Sequence, residues 1–226
     1  MKNFWNNQTK KNISPISMGN LEENKILLKK KINLEKKKVN KFIKNIEKEM
    51  VLDLECGTGT WSIFFSKFKK NKTIYAVDYS KSMLNIAKII SKKYRKKIKF
   101  FNMSAEKFIK NKKFDLIWIS GLLIYLNDRN FQKLMDNCKK MLKSNGTIIV
   151  RDGTAKKKKF VLNKKFSFEL NGLYSAQYRT IKEYKKKFSK NFKVIKDEDM
   201  FPKNSTLNKR KETILRIYKL KHYEKI

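Results

Sequence analysis

Short apolar segments that alternate with helical patterns constrain the fold of this chain most strongly. The apolar segments lie at 50–54, 73–78, 98–103, 114–120 and 147–152. The fourth, FDLIWIS, is apolar on both of its faces, as expected for a parallel strand buried inside a sheet. Strands that are separated by helices predict a doubly wound, Rossmann-like α/β fold with a mostly parallel sheet.

Helical patterns occupy the intervals between these segments. Apolar residues at helical spacing predict one or two helices within 21–49, whose outer face is rich in lysine. A second pattern over 80–94 has Ser80 as its expected N-cap. The clearest pattern covers 128–142, and Asn145-Gly146 is expected to end that helix.

The alternation breaks down after residue 152. Residues 153–180 are irregular, basic and aromatic, which indicates an insertion, and a helix is expected at 180–188. Two later segments predict an antiparallel strand pair at the sheet edge, giving seven strands in all. We therefore expect a single domain over 1–226, divided into an N-terminal lid and helical cap (1–48), a core (49–152), a substrate-side insertion (153–180), and a helix with the terminal strand pair (181–226).

Composition excludes several classes of protein. Apolar residues make up 40% of the chain, too many for a disordered protein. No apolar run approaches the roughly 20 residues of a membrane span, and the N-terminal residues lack the apolar block of a secretion signal, so a cytoplasmic location is expected. Cys56 and Cys138 have neither metal nor disulfide spacing, and Cys138 falls in a core stripe. His222 is the single histidine, which argues against a histidine triad and against a bound metal.

The formal net charge of +37 has two interpretations. Dense lysine would suit a partner such as nucleic acid, because lysine neutralises phosphates. The lysines are spread over nearly every segment, however, and the composition resembles that encoded by AT-rich codons. We favour this second interpretation, although the charge would still attract anionic partners at low salt.

A glycine turn follows the first predicted strand, in the sequence VLDLECGTGTW at 51–61. Gly57 and Gly59 allow the backbone to turn tightly and to approach a ligand. A dinucleotide-binding fold would place a third glycine where Ser62 stands. Asp53 suits a ligand with a positive end better than it suits a pyrophosphate.

Asp78 ends the second predicted strand, 25 residues beyond Asp53. This is close to the spacing at which an acid binds the ribose hydroxyls of a nucleoside. The alternative is an N-cap for the helix that follows, because Ser80 and Ser82 come next.

Five motifs in register with the predicted strands resemble the class I S-adenosylmethionine-dependent methyltransferases. They are VLDLECGTGTW, YAVDYSKSML, FFNMSAEKF, FDLIWISGLLIYL and LKSNGTIIVRDG, and the resemblance is strong over 45–155. It implies S-adenosyl-L-methionine as the cofactor and transfer of its methyl group. The cofactor-binding residues that it implies are Asp53, Glu55, Gly57, Gly59, Asp78, Tyr79, Ser104, Ala105, Glu106 and Ser120, with Gly121 beside them.

Two residues depart from the family pattern. A small residue usually stands where Glu55 does, and we expect the Glu55 side chain to point away from the cofactor. An acid is common at the position of Ser104, so the contact to adenine would come from the backbone.

Methyl transfer needs a base only when the acceptor is a hydroxyl or a protonated amine. Asp152, after the fifth strand, and Tyr125, after the fourth, are the candidate catalytic residues. Their structural alternatives are a turn residue and a packing residue. The candidates for binding the substrate are Trp5, Arg151, Tyr178 and Arg179, with Tyr174 close by in sequence.

The methyl acceptor is the least determined part of the prediction. The (N/D/S)-PP-(Y/W/F) motif, typical of enzymes that methylate exocyclic base amines, is absent, and SGLL follows the fourth strand. A small molecule methylated on oxygen or nitrogen is therefore favoured. An RNA acceptor, a protein acceptor, an inactive cofactor-binding protein and a dehydrogenase remain the alternatives.

Overall fold

The computed structural model describes residues 25–68, 73–93, 98–167 and 172–223, and its centre is a seven-stranded sheet. The order of strands across the sheet is β3-β2-β1-β4-β5-β9-β8. The first five are parallel, while β9 is antiparallel to both β5 and β8. These strands are β1 (Met50–Leu54), β2 (Thr73–Asp78), β3 (Ile98–Asn102), β4 (Phe114–Ser120), β5 (Leu142–Ala155), β8 (Lys193–Asp199) and β9 (Thr213–Lys221).

Helices cover both faces of this sheet. In chain order they are α1 (Lys25–Ile43), α2 (Thr60–Phe65), α3 (Lys81–Lys93), α4 (Asp128–Met141) and α5 (Ile181–Phe188). Buried residues of α1, α2 and α3 pack on one face, and those of α4 and α5 pack on the other. The predicted doubly wound sheet, with its antiparallel strand pair at the C-terminal edge, is confirmed.

Strand β1 illustrates why both faces are apolar. Side chains alternate along a strand, so Val51 packs with the α1 side while Leu52 and Leu54 pack with the α4 side. All three are fully buried. Each such side chain contributes about 1.5–3 kcal/mol of transfer free energy when it leaves water.

The helix boundaries follow local capping with one correction. Ser80 caps α3, since its Oγ accepts the N–H of Met83 at 3.3 Å. Helix α4 ends at Met141, because Leu142 is extended and pairs with Phe114 of β4. The expectation that Asn145-Gly146 ends this helix was therefore wrong, since both residues lie inside β5.

The segment predicted to be irregular contains a hairpin of β6 (Phe160–Ser167) and β7 (Gly172–Tyr178). The sequence does not show the regular alternation of inward and outward side chains that marks a strand. The reason is that the pairing shifts between Leu162 and Lys165, where Lys164 adopts a φ of 46°. The inner face of this hairpin packs against the start of the loop before α4, through Phe160, Leu162, Tyr174, Ala176 and Tyr178.

The N-terminal pattern gives one helix, α1. Residues 1–24, with the expected lid and Trp5, lie outside the described residues. Among the helices of the described chain, none has the length and apolarity needed to traverse a bilayer. The same part of the chain contains no cluster of three or more His, Cys, Asp or Glu side chains suited to a metal ion.

The order of connections reverses between β1 and β4, which are neighbours in the sheet. In open α/β sheets, ligands bind beyond the carboxyl ends of the strands at such a point. The turn after β1 and the loop after β4 both begin there.

Candidate active site

A cavity of about 360 Å³ lies at the carboxyl edge of the sheet. Its wall is built from α1, the turn after β1, the ends of β2, β4 and β5, the β6–β7 hairpin and the segment between β8 and β9. The residues on this wall include Lys31, Glu35, Glu55, Gly57, Trp61, Asp78, Met83, Ser120, Gly121, Tyr125, Arg151, Asp152, Gly153, Tyr174, Tyr178, Phe201, Lys209 and Arg210.

The turn after β1 uses its two glycines differently. Both have positive φ, 54° at Gly57 and 85° at Gly59. A Cβ added at Gly57 would have no atom within 4 Å, so this position faces open space at the cavity. A Cβ at Gly59 would lie 3.2 Å from Cβ of Ala87, so Gly59 lets the turn pack against α3. Glu55 also has a positive φ, 67°, a conformation that costs a non-glycine residue about 1–2 kcal/mol.

Asp78 is fixed at the end of β2 by two backbone N–H groups. Its Oδ2 accepts the N–H of Gly57 at 2.8 Å, and its Oδ1 accepts that of Ser80 at 2.8 Å. Burial raises the Asp78 pKa to about 6, against the opposing effect of these two bonds. The carboxylate thus steadies both the glycine turn and the start of α3, and it lies on the cavity wall. Both interpretations of Asp78 are compatible with this geometry.

Two further carboxyl groups surround Asp78. Asp53 is fully buried, and its Oδ2 accepts the Ser62 hydroxyl at 2.5 Å while Oδ1 has no hydrogen-bond partner. Burial, with the Asp78 charge, raises the Asp53 pKa to about 7. Burial and the charges of Asp78, Glu106 and Asp53 likewise raise the pKa of Glu55 well above its usual value. None of Asp53, Glu55 and Asp78 forms a salt bridge with a described residue, so a cation bound at this end of the cavity would favour their ionised forms.

Several of the predicted cofactor contacts need correction. Glu55 lies on the cavity wall, contrary to the expectation that it points away. Asp53 is not on the wall but beneath the glycine turn, because its position in β1 directs it toward Ser62 of α2. Four predicted residues are not on the wall, namely Tyr79, Ser104, Ala105 and Glu106. Of these, Ala105 is buried at the start of the short turn Ala105–Lys107.

Helix α1 closes the cavity through a buried ion pair. Arg151 Nη2 donates to both carboxylate oxygens of Glu35, at 2.7 and 2.8 Å, and Nη1 donates to Ser120 Oγ at 3.1 Å. The guanidinium also lies 6.0 Å from the centre of the Trp61 ring. Arg151 was predicted to bind an acidic substrate, but the charge of Glu35 already pairs with it. This pair instead joins α1 to the ends of β4 and β5.

Three tyrosine hydroxyls form a chain at the other end of the cavity. The Tyr125 and Tyr174 hydroxyl oxygens are 3.1 Å apart, and those of Tyr174 and Tyr178 are 3.2 Å apart. Burial is the main cause that raises the pKa of all three phenols, which are therefore neutral near pH 7. Gly153 gives the Tyr178 ring its space, because an added Cβ would lie 2.7 Å from Tyr178 Cε1.

Asp152 lies on the wall between the two ends. Its Oδ2 accepts the N–H of Leu123 at 2.6 Å, and its Oδ1 accepts that of Gly153 at 2.7 Å. Burial raises the Asp152 pKa to about 6 despite these bonds. Both oxygens are thus engaged by backbone, which favours an orienting role over that of a freely placed base.

Arg179 does not line the cavity, and its predicted contact with the substrate was wrong. Its side chain is buried and turned inward, where the guanidinium donates to the carbonyl oxygens of Leu123 and Leu126 and to Asp128. The side chain alternates away from Tyr178, its neighbour in sequence, which faces the cavity.

Other wall residues were missed by the sequence analysis. Glu35 had a weak signal, as an acid on the otherwise lysine-rich helix α1. Trp61 and Met83 lie inside two of the quoted motifs, in the first turns of α2 and α3, but were not named as site residues. Phe201 and Arg210 come from the segment between β8 and β9, where no local pattern indicated a site.

This site lies at the reversal point of a doubly wound sheet with an antiparallel strand near its edge, as in methyltransferase folds. A structure of an S-adenosylmethionine-dependent methyltransferase from Clostridium acetobutylicum superposes with a TM-score of 0.66 at 16% identity, covering 85% of this chain and 92% of that one. Residues 51–146 match the family model described as a methyltransferase domain. The resemblance predicted from the sequence is therefore confirmed over this segment, which matches a methyltransferase domain.

Two curated proteins are similar in sequence. The ubiquinone biosynthesis O-methyltransferase of Pelagibacter ubique is 30% identical over 139 residues, which are 62% of this chain and 53% of that protein. The alpha N-terminal protein methyltransferase 1 of Dictyostelium discoideum is 29% identical over 116 residues, 50% of this chain and 43% of that protein. The chain thus spans about half the length of these relatives, and their acceptors differ from each other.

Proposed function

We propose that this protein transfers a methyl group from S-adenosyl-L-methionine to an oxygen or nitrogen atom of a small molecule. The observation that carries the proposal is the cavity itself, which joins an acidic end at the glycine turn to a tyrosine-lined end. The family match at 51–146 supports the cofactor.

The residues at the acidic end fit this cofactor. Asp78 lies on the wall, and each of its carboxylate oxygens keeps lone pairs beyond the backbone N–H that it accepts, with which it could accept a ribose hydroxyl. Gly57 and Gly121 have positive φ, and the space where their Cβ atoms would lie is open. The clustered charges of Asp53, Glu55 and Asp78 would stabilise the ammonium group of the methionine portion.

The bound cofactor supplies an electrophilic methyl group on a sulfonium whose departure leaves a neutral thioether. The protein then has to hold the acceptor atom about 3 Å from that carbon and in line with the bond that breaks. We assign this orientation to Tyr125, Tyr174 and Tyr178, whose hydroxyls can bind an oxygen or nitrogen acceptor. Asp152 holds the loop that carries Tyr125.

A proton leaves a hydroxyl or ammonium acceptor during transfer. Each hydroxyl of the tyrosine chain can accept that proton while it passes its own to the next oxygen, and water in the cavity would take the last proton. A small acceptor suits a cavity of about 360 Å³ with this lining. The cytoplasmic location stays a prediction from sequence.

Calorimetric titration with S-adenosylhomocysteine, followed by a mass-spectrometric methylation assay over a panel of phenols, amines and short RNAs, tests the proposal. We expect binding in the micromolar range and methylation of a small hydroxyl or amine compound. Absence of binding up to millimolar concentrations would refute a methyltransferase. Methylation of RNA or of a peptide alone would refute the small-molecule acceptor.

A further inference from the structure

We propose that Arg179 is a positioning residue that, together with Asp152, fixes the loop 121–127 and thereby the place of Tyr125 in the cavity. The meaning of this role for methyl transfer rests on the proposed function. The contacts themselves do not, so they can be tested without an acceptor.

The guanidinium of Arg179 donates hydrogen bonds to the backbone of this loop. Its Nη1 donates to the Leu123 carbonyl oxygen at 2.8 Å, and its Nη2 donates to that of Leu126 at 2.7 Å. The side chain is only 1% exposed. Bonds of this kind, in which a buried charge meets a carbonyl group, are stronger than bonds between neutral groups.

Asp152 holds the same loop from the opposite side. Its carboxylate accepts the N–H of Leu123 at 2.6 Å, so both backbone polar groups of Leu123 are bound by buried charged side chains of opposite sign. The carboxylate lies toward the N–H side and the guanidinium toward the C=O side, which suits the peptide dipoles between them. Two charges that would each be costly alone in the interior are thus compensated through the loop.

The ion pair between Arg179 and Asp128 does not explain this burial. Asp128 lies 2.8 Å from Arg179 Nη2, but its side chain is 61% exposed and also pairs with Lys187 at 2.9 Å. The two cations hold the Asp128 pKa at about 2, but solvent screens a carboxylate that is so largely exposed, and it does not compensate for the burial of the guanidinium. The buried hydrogen bonds of Arg179 are those with the loop carbonyl groups, and its guanidinium also lies 5.1 Å from the centre of the buried Phe131 ring on α4.

The position of Arg179 in the chain links two parts of the cavity wall. It directly follows Tyr178, and the side-chain amide of Gln177 also donates to the Leu126 carbonyl oxygen. The strand that supplies Tyr174 and Tyr178 is therefore fastened to the loop that supplies Tyr125. We infer that Arg179 sets the register in which the three hydroxyls meet.

Hydrogen exchange of the full-length protein tests this role in Arg179→Gln and Arg179→Lys, with Lys187→Gln as the matched control. The control removes the other cation that pairs with Asp128 but touches no loop carbonyl group. We expect amide exchange within 122–127 to accelerate about tenfold or more in Arg179→Gln and less in Arg179→Lys. Exchange in the control, and in residues 51–59 of every variant, should match the wild type. The affinity for S-adenosylhomocysteine should change less than twofold.

Two outcomes would overturn the proposal. One is wild-type exchange of the loop in Arg179→Gln. The other is an equal acceleration at 51–59 and at 122–127 in both Arg179 variants, which would indicate a general loss of stability. Failure of the wild-type protein to bind S-adenosylhomocysteine would instead refute the proposed function, and the exchange result would still decide the role of Arg179.

Discussion

The acidic end and the tyrosine end of the cavity are built in different ways. At the acidic end, Glu55, Gly57 and Asp78 come from the ends of two adjacent parallel strands, and all belong to motifs visible in the sequence. At the tyrosine end, Tyr125 and Tyr174 come from a loop and a hairpin that are 49 residues apart. Further wall residues there come from the segment between β8 and β9.

This contrast shows that different contacts position the residues of the two ends. The acidic end depends on strand ends whose positions the parallel sheet fixes. The tyrosine end depends on side chains that fasten one surface segment to another, such as Arg179 and Asp152. We therefore expect substitutions at the two ends to affect different measurements.

The largest effect, a loss of stability, is expected at the ion pair that joins α1 to β5. Glu35→Ala leaves the Arg151 cation, whose side chain is 14% exposed, without its partner, which should lower the free energy of unfolding by at most about 3–5 kcal/mol, the range for a fully buried pair. Urea denaturation measures this. The double variant Glu35→Gln/Arg151→Met should recover most of the loss, since it leaves no unpaired charge. A loss below about 1 kcal/mol in Glu35→Ala would show that solvent reaches the pair.

Loss of the Asp78 carboxylate should affect the acidic end alone. We expect Asp78→Ala to weaken S-adenosylhomocysteine binding by about 1.5–3 kcal/mol, because hydrogen bonds to a charged group are lost. Calorimetric titration measures it. Asp136→Asn, on α4 away from the cavity, is the control and should bind as the wild type does. Equal affinities of the wild type, Asp78→Ala and Asp136→Asn would show that Asp78 does not bind the cofactor.

The tyrosine end can be disturbed by one methyl group. Gly153→Ala would bring a Cβ within 2.7 Å of the Tyr178 ring, which has to move. Such overpacking should lower the free energy of unfolding by about 1–3 kcal/mol and impair methylation of the acceptor. Cofactor affinity should stay within twofold, which calorimetry can check. A parallel loss of cofactor affinity would contradict the separation of the two ends.

A pH dependence of stability is also expected, and it arises mainly at the acidic end. The folded-state pKa values of Asp53, about 7, and Asp78, about 6, lie above the ordinary value of 3.8. Between these values the folded protein binds more protons than the unfolded chain does, so stability falls as the pH rises from about 4 to 7. Asp152 adds to this with a pKa of about 6.

Urea denaturation from pH 4.5 to 7.5 tests this trend. Asp53→Asn, which cannot ionise, should show a shallower decline than the wild type. Saturating S-adenosylhomocysteine should also flatten the decline, because its ammonium group favours the ionised carboxylates. A stability that rises over this range in the wild type would contradict the assignment.

The sequence by itself determined the sheet and the acidic end. Periodicity is a local property, so the alternation of strands and helices fixed the topology class, and spacing within motifs located Gly57, Gly59 and Asp78. Strand ends of a parallel sheet meet at one edge, which brought these residues together without further information.

Only the tertiary structure decided which way the remaining charged side chains point. Arg151 pairs with Glu35, 116 residues away, and Arg179 turns inward to the loop after β4, although both are cations beside the expected substrate pocket. No local pattern encodes these partners, because burial and long-range contact select them once the hairpin and α1 have packed on the sheet. Tyr125, Tyr174 and Tyr178 were likewise named from the sequence, whereas the contacts between their hydroxyls depend on how the hairpin packs.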